Sequence, residues 1–339
     1  MRTRILAAFA ALAASHAPAF AQGSVQLNGV FDVYAGQRQL AGAGRAHRVE
    51  SGGMTTSRWG VDGAEDLGGG LKAVFALSAF LRVDSGDTGR SPADGFWRRA
   101  AYVGLEGSWG SLRLGRVVTP TFVNAIRFSP FADSSAFGPY IAHVYTGAQP
   151  MVTPMTVPDS AADNAIAYGT PVLGGFSGTL MLSMGETPGT GDRLVAAGSY
   201  AVGPFAAGLG GERVKAPHSL PAGVSRIDHL QAGLSWDLKA LKLFGTWARS
   251  EMTLPAGTRD LHTWQLGLTA PAGAGLLMAA WGSTSKREPA LADARRRTLS
   301  VGYDHPLSKR TDLYAVAMRD QVTSLSNGHT LALGVRHRF

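Results

Sequence analysis

From Ser24 to the final residue, the chain alternates between apolar and polar side chains in short runs. In SVQLNGVFDVYAG, Val25, Leu27, Phe31 and Val33 share one parity; Gln26, Asn28, Asp32 and Tyr34 share the other. In LKAVFALSAFLRV, Leu71, Phe75, Leu77 and Leu81 oppose Lys72, Ser78 and Arg82. DHLQAGLSWDL sets Leu230, Leu234 and Trp236 against His229, Gln231 and Ser235, and HTWQLGLTA sets Trp264, Leu266 and Leu268 against Thr263, Gln265 and Thr269. Successive side chains of a β-strand point to opposite faces, so each run predicts a strand with one apolar face. The chain also ends this way: Leu331, Leu333, Val335, His337 and Phe339 alternate with Thr330, Ala332, Gly334, Arg336 and Arg338. Termini usually fray. This one is predicted to end inside a structural strand, on an aromatic ring.

The connections alternate in length. Short ones fall at residues 66–70, 107–110, 202–204, 270–275 and 305–310. Long ones fall near 37–53, 84–96, 117–162, 185–193, 214–226, 251–260, 284–296 and 321–328. The pattern predicts about sixteen strands joined by about seven short turns and eight longer loops. An even strand number, with both termini at the short-turn side, closes an up-and-down barrel. Closure matters in lipid, where an open edge would leave backbone groups unpaired at a cost of several kcal/mol each. Aromatics at the ends of the apolar faces suit interfacial girdles: Tyr34, Trp59, Tyr102, Trp236, Trp247, Trp264, Trp281, Tyr303 and Phe339. A soluble two-sheet sandwich would also alternate, but its second face would have to pack between sheets. The second face here is too polar for that. The expected fold is therefore all-β: a closed antiparallel transmembrane barrel of 16 strands.

Composition agrees. The chain has 44 Gly, no Cys and 17% charged residues, against about 25% charged in ordinary soluble domains. After the N-terminus, no run of about 20 apolar residues suits a membrane helix. The first residues, MRTRILAAFAALAASHAPAFAQG, read as a cleaved signal peptide. Arg2 and Arg4 form its basic start, Ile5 to Ala14 its apolar stretch and Ala19-Phe20-Ala21 its cleavage pattern. The expected mature barrel is 22–339, after removal of 1–21; 30 basic and 24 acidic residues remain in it.

The segments VQLNGVFDVY, SRWGVDGAEDLGGGLKAVF, RRAAYVGLEGSWGSLRLGR, DNAIAYGTPVLGGFSG and the terminal VRHRF resemble the general diffusion porins of Gram-negative bacteria, especially the β-proteobacterial (Burkholderiales-type) branch. The resemblance covers essentially the whole mature chain. It implies a homotrimer in the cell outer membrane, each subunit a sixteen-stranded barrel with its own aqueous pore for passive diffusion of small hydrophilic solutes and ions. It implies that a long third loop, residues 117–162 here, folds into the lumen and narrows it. It implies contact with outer-membrane lipid and lipopolysaccharide, and insertion by the barrel assembly machinery, for which Phe339 resembles the terminal signal.

In such porins, basic residues on the wall face acids on the constricting loop. Arg58 in SRWG and Arg99 in RRAAYVGL match basic-wall positions. Arg58 opposes the parity of Trp59 and Val61, and Arg99 that of Tyr102, so both have inward parity. Asp133, in SPFADSS, is the candidate acid of the constriction. Lys72, Arg82 and Arg113 also have lumen parity, with weaker grounds for constriction height, and Arg127 adds positive charge on the loop. Asp159 and Asp163 are expected at the loop's return. The family often carries an Arg two residues before the DN of strand six. Ala161 stands there, so the basic wall is one charge short. An acid-poor loop predicts a weak preference for anions.

Enzyme signatures are missing. GGFSGT has Thr179 where a nucleophile elbow needs Gly. There is no H-E-x-x-H, no Cys-rich metal spacing and no P-loop Lys-Ser/Thr after DLGGG. No cofactor, metal or nucleic acid is expected; ADARRRTLS reads as a rim patch. Two other readings stay open at this level: an outer-membrane barrel enzyme, and a plugged, non-conducting structural or adhesive barrel.

Overall fold

The computed structural model describes residues 23–339 except 148, 150, 151, 153, 187–190, 217–219, 222 and 290. The expected leader, residues 1–21, lies outside the described residues. The strands are β1 (Ser24–Arg38), β2 (Ala46–Ser51), β3 (Arg58–Gly68), β4 (Leu71–Phe80), β5 (Ala100–Gly107), β6 (Gly110–Val118), β7 (Ala161–Gly169), β8 (Phe176–Ser183) and β9 (Arg193–Val202). They continue as β10 (Phe205–Lys215), β11 (Arg226–Asp237), β12 (Lys242–Leu254), β13 (Gly257–Ala272), β14 (Gly275–Arg287), β15 (Ala294–Pro306), β16 (Thr311–Val322) and β17 (Gly328–Arg338). Two short helices, α1 (Pro120–Arg127) and α2 (Pro139–Val144), lie between β6 and β7.

Every strand pairs antiparallel with its neighbours, and β1 pairs with β17, so the sheet closes on itself. The seventeen segments make sixteen barrel strands because β2 and β3 share one place in the wall. The first half of β1, Ser24–Val30, pairs with β3; its second half, Val33–Arg38, pairs with β2. Between them the wall breaks at residues 52–57. Asp32 of β1 holds that break. Its carboxylate accepts from the backbone N–H groups of Gly53 (3.1 Å), Met54 (2.9 Å) and Thr55 (2.8 Å), and from the Tyr314 hydroxyl (2.5 Å). Gly52 supplies the left-handed turn, at φ +81°.

The alternation sorts as the sequence predicts. Leu230, Leu234, Trp236, Trp264, Leu266 and Leu268 point outward and are exposed, while His229, Gln231, Ser235, Thr263 and Gln265 are buried inside. Exposure of so many large apolar side chains would cost roughly 1.5–3 kcal/mol each in water, so the outer wall is built for lipid. Trp247 and Trp264 face each other across β12 and β13, with ring centroids 6.2 Å apart. Two girdle candidates belong elsewhere. Tyr34 is buried in the lumen, where it donates to Glu50. Tyr102 also faces inward, because the ladder sets it opposite Ala76 on the same face as Ser78 and Ala100.

Loop lengths differ in two places. The connection expected at 37–53 contains β2, and the one expected at 251–260 is a tight turn, since β12 and β13 pair up to Leu254 and Gly257. At the seam, Gly29 and Phe339 exchange both backbone hydrogen bonds at 3.1 Å. The Phe339 ring packs edge-on against Phe31, with centroids 5.0 Å apart, on the outward face that carries Leu331, Leu333 and Val335.

Candidate pore constriction

The β6–β7 connection occupies the lumen, and the wall is shaped to receive it. Thr119 caps α1, accepting from Phe122 N–H at 3.3 Å, and Pro120 starts the helix. On the wall, Gln231 donates to the Thr121 carbonyl (2.6 Å), and the Asn124 amide donates to the Leu209 carbonyl (3.1 Å). Phe128, at the end of α1, lies over Gly208 and Gly233. A Cβ on either would stand 2.4 or 2.3 Å from its ring, so only glycine admits this approach. α2 is fully buried. Tyr140 N–H donates to Gln265 (3.0 Å), and its hydroxyl donates to Gln231 (2.8 Å). His143 sits between Thr284 (2.9 Å) and Thr298 (2.8 Å). Burial first, and the nearby Arg296 second, hold its pKa well below the usual imidazole value, so it is neutral.

The segment between the helices crosses to the first strands. Phe131 and Phe137 enter an apolar cluster with Tyr34, Met54, Met278 and Tyr314. Ser134 Oγ donates to the Gly53 carbonyl at 2.6 Å. These anchors set Asp133 against the broken part of the wall. Its Oδ1 accepts from Thr55 Oγ1 (3.1 Å), and its Oδ2 pairs with Arg58 Nη1 (3.3 Å). The ladder gives Arg58 the inward face of β3, opposite Val30 and Phe80. Arg99, just before β5, lies within electrostatic range of both Arg58 and Asp133. Its burial, and then the like charge of Arg58, push its pKa down to about 10, which leaves it cationic at neutral pH. Arg99 has no ion-pair partner among the described residues.

The structure therefore brings Arg58, Arg99 and Asp133 into one cluster. It does so with the acid beside Arg58 rather than across an open gap from it. Two guanidiniums share one carboxylate, for a net charge of +1.

A profile of Gram-negative porins matches residues 7–324. The chain is 32% identical over 323 residues to outer membrane porin protein 32 of Delftia acidovorans, spanning 91% of this chain and 87% of that protein. It belongs to the Gram-negative porin family. An outer membrane porin protein of Bordetella pertussis is 29% identical over 405 residues, covering 100% of both chains. The anion-selective porin from Comamonas acidovorans superposes with a TM-score of 0.79 at 26% identity, over 94% of this chain and 100% of that one. This porin forms a water-filled channel through the outer membrane for passive diffusion of small hydrophilic solutes and ions.

The porin's other candidate charges are scattered. Lys72 faces inward near the short-turn end, in register with Asp66 and Glu106. Arg82 lies past the end of β4 and pairs with Asp87 at 3.2 Å. Arg113 faces inward, pairs with Glu106 (2.8 Å) and lies 5.1 Å over the Tyr102 ring. Arg127 is exposed at the end of α1 and donates to Ser199 at 2.6 Å.

A second group escapes sequence reasoning. Arg116 pairs with Asp159 (2.5 Å) and Asp163 (2.6 Å), while Arg90 pairs with Asp94 and Asp159 (both 2.8 Å). Arg98 adds a contact to Asp163 at 3.0 Å. This network fastens the third loop's return to the second loop. Burial alone would raise the Asp159 pKa, but Arg90 and Arg116 hold it below the ordinary value. Strict alternation gives Arg116 the outward face of Leu112 and Leu114. A bulge between Gly115 and Val117 turns it instead into the network. The carbonyl of Ala161, where the family often has Arg, accepts from Arg193 at 3.4 Å. That guanidinium reaches in from β9, and Glu212 neutralises it at 2.6 Å.

Proposed function

We propose that this porin is weakly anion-preferring and that Arg58, Arg99 and Asp133 form its constriction. The observation that carries this reading is the pairing of the one acid with Arg58, which leaves Arg99 cationic and without an ion-pair partner among the described residues. Excess fixed positive charge raises the local anion concentration in a confined aqueous path. The anion selectivity of the similar Comamonas protein supports the same sign. The test is the zero-current potential in a salt gradient: Arg58→Ala and Arg99→Ala should each move it towards cations. Wild-type potentials in both variants at low salt would remove these residues from the constriction.

The protein works as a homotrimer, is inserted by the barrel assembly machinery and has no catalytic role. In support of the last point, the Ser250–His229 contact (2.7 Å) is buried under the third loop, and the second ring nitrogen of His229 faces Gln231 instead of a carboxylate. Export proceeds with cleavage after Ala21. Intact-mass analysis of outer-membrane material should give a chain starting at Gln22; a mass that includes Met1 would rule this out.

A further inference from the structure

The break in the wall at residues 52–57 is built as a rigid support. Asp32 holds its backbone through the N–H groups of Gly53, Met54 and Thr55. Ser57 is keyed to the same strand: its hydroxyl accepts from the Asp32 backbone N–H and donates to the Asp32 carbonyl, both at 2.9 Å. Two charged side chains of the constriction lean on this segment. Arg58 Nη1 donates to the Thr56 carbonyl at 3.2 Å, and Asp133 Oδ1 accepts from Thr55 Oγ1 at 3.1 Å. The segment therefore fixes both members of the Arg58–Asp133 pair.

Thr55 has a further partner, which comes from the last strand. Arg336 of β17 is buried on the inner wall. Its Nη2 donates to Asp304 of β15 at 2.6 Å and its Nε to Asp312 of β16 at 3.0 Å, while Arg338 also pairs with Asp312 at 2.6 Å. Two arginines and two carboxylates cancel, so this group adds no net charge to the lumen. The guanidinium is planar, so holding Nε and Nη2 sets the direction of Nη1. That nitrogen donates to Thr55 Oγ1 at 3.3 Å. A hydroxyl has one proton to give. With Arg336 donating into its oxygen, Thr55 turns that proton to Asp133. Donors aligned in such a chain polarise and strengthen one another, and here the first of them is charged.

Both oxygens of Asp133 are thereby engaged, Oδ1 at the wall and Oδ2 on Arg58, and only 19% of its side chain stays exposed. Arg99 is left without an acid of its own. We propose that Thr55 is a selectivity-determining residue of this porin and Arg336 a positioning residue: their relay draws the acid of the constriction back to the wall and keeps the field of Arg99 uncompensated. The relay rests on the reading of Arg58, Arg99 and Asp133 as the constriction. It adds to that reading a control by groups that bring no net charge.

Zero-current potentials in a salt gradient at low ionic strength are recorded for the wild type, Thr55→Val, Thr55→Ser, Asp133→Asn and Thr55→Val/Asp133→Asn, each purified as heat-modifiable, assembled protein. Valine keeps the branched shape and loses the hydroxyl, which frees Oδ1 to turn into the water among the permeating ions. The anion-to-cation permeability ratio should fall roughly two-fold in Thr55→Val. It should keep the wild-type value in Thr55→Ser, which retains the donor. In the Asp133→Asn background the valine should change nothing, because no carboxylate is left to orient; a general loosening of the loop would act in both backgrounds. Arg336→Lys keeps the charge but cannot span Asp304, Asp312 and Thr55 at once, and should act in the same direction as Thr55→Val. Wild-type selectivity in Thr55→Val, or the same drop with and without Asp133, would overturn the relay. Arg58→Ala and Arg99→Ala, recorded alongside, separate the two readings. A shift in these with none in Thr55→Val removes the relay alone; no shift in either removes the constriction, and the relay with it.

Discussion

Arg58 and Arg99 share Asp133, and the sharing is unequal. Arg58 touches the carboxylate at 3.3 Å, while Arg99 feels it only at longer range. A unit charge at 4 Å in water is worth about 1 kcal/mol, enough for a several-fold change in local ion concentration. Asp133→Ala removes the partner of Arg58 and leaves two uncompensated cations. The zero-current potential should move further towards anions, and the shift should shrink as salt rises and the Debye length falls from about 30 Å at 0.01 M to about 3 Å at 1 M. No movement at low salt would place Asp133 away from the permeating ions. At this scale, strand parity was a good guide only where strands are regular. It gave Arg58 its inward face from its neighbours Trp59 and Val61. It fails for Arg116, because a bulge at Gly115 breaks the alternation. For Tyr102 the girdle assignment fails instead: regular alternation with the exposed Val103 and Leu105 turns its ring inward, under Arg113. The inward parity read for Arg99 against Tyr102 does not hold, because Tyr102 itself faces inward; Arg99 precedes β5, and its place near Arg58 and Asp133 does not follow from alternation.

At the scale of elements, the third loop is a docked body rather than a free connection, and its docking should depend on pH. His143 of α2 is neutral and enclosed, with Thr284 and Thr298 at its ring nitrogens and the Arg296–Asp320 pair beside it. Its depressed pKa means that the undocked loop binds the proton more readily than the docked one. Docking is therefore strongest above the ordinary imidazole value of about 6.5, and weakens below it by up to about 1.4 kcal/mol per pH unit. Asp159 has the usual carboxylate sign: its lowered pKa adds stability above 3.8 that is lost on further acidification. Single-channel recordings should be steady at pH 7 and grow noisy as pH falls below 6.5, and His143→Gln should abolish the first part of that change. Identical noise at pH 7 and pH 5 in the wild type would contradict it. The loop's position was expected only through family resemblance. Its seat was illegible, because Gly208 and Gly233 read as strand glycines until Phe128 is seen above them. The break at residues 52–57 was hidden too, since a loop expected at 37–53 absorbed β2, and Asp32 counted as one more inward polar residue until its four hydrogen bonds were in view.

For the whole molecule, the sixteen-strand barrel was the most legible feature, because each outward Leu or Trp restates it and lipid forbids an open edge. Closure depends on the last residue. Phe339 contributes both seam hydrogen bonds to Gly29 and packs its ring on Phe31. Deleting Phe339 should lower the yield of heat-modifiable, assembled protein in the membrane fraction, while the detergent-refolded chain keeps its strand content. Wild-type assembly of the truncated chain would contradict that role. The channel's selectivity turns on the sign of the pore's field. The most direct measurement is the zero-current potential across a tenfold salt gradient, taken at low and at high ionic strength for the wild type and for Arg58→Ala/Arg99→Ala. The account predicts an anion-side potential that fades at high salt and is lost in the double variant. A cation-side potential in the wild type, or one unchanged by removing both arginines, would contradict it.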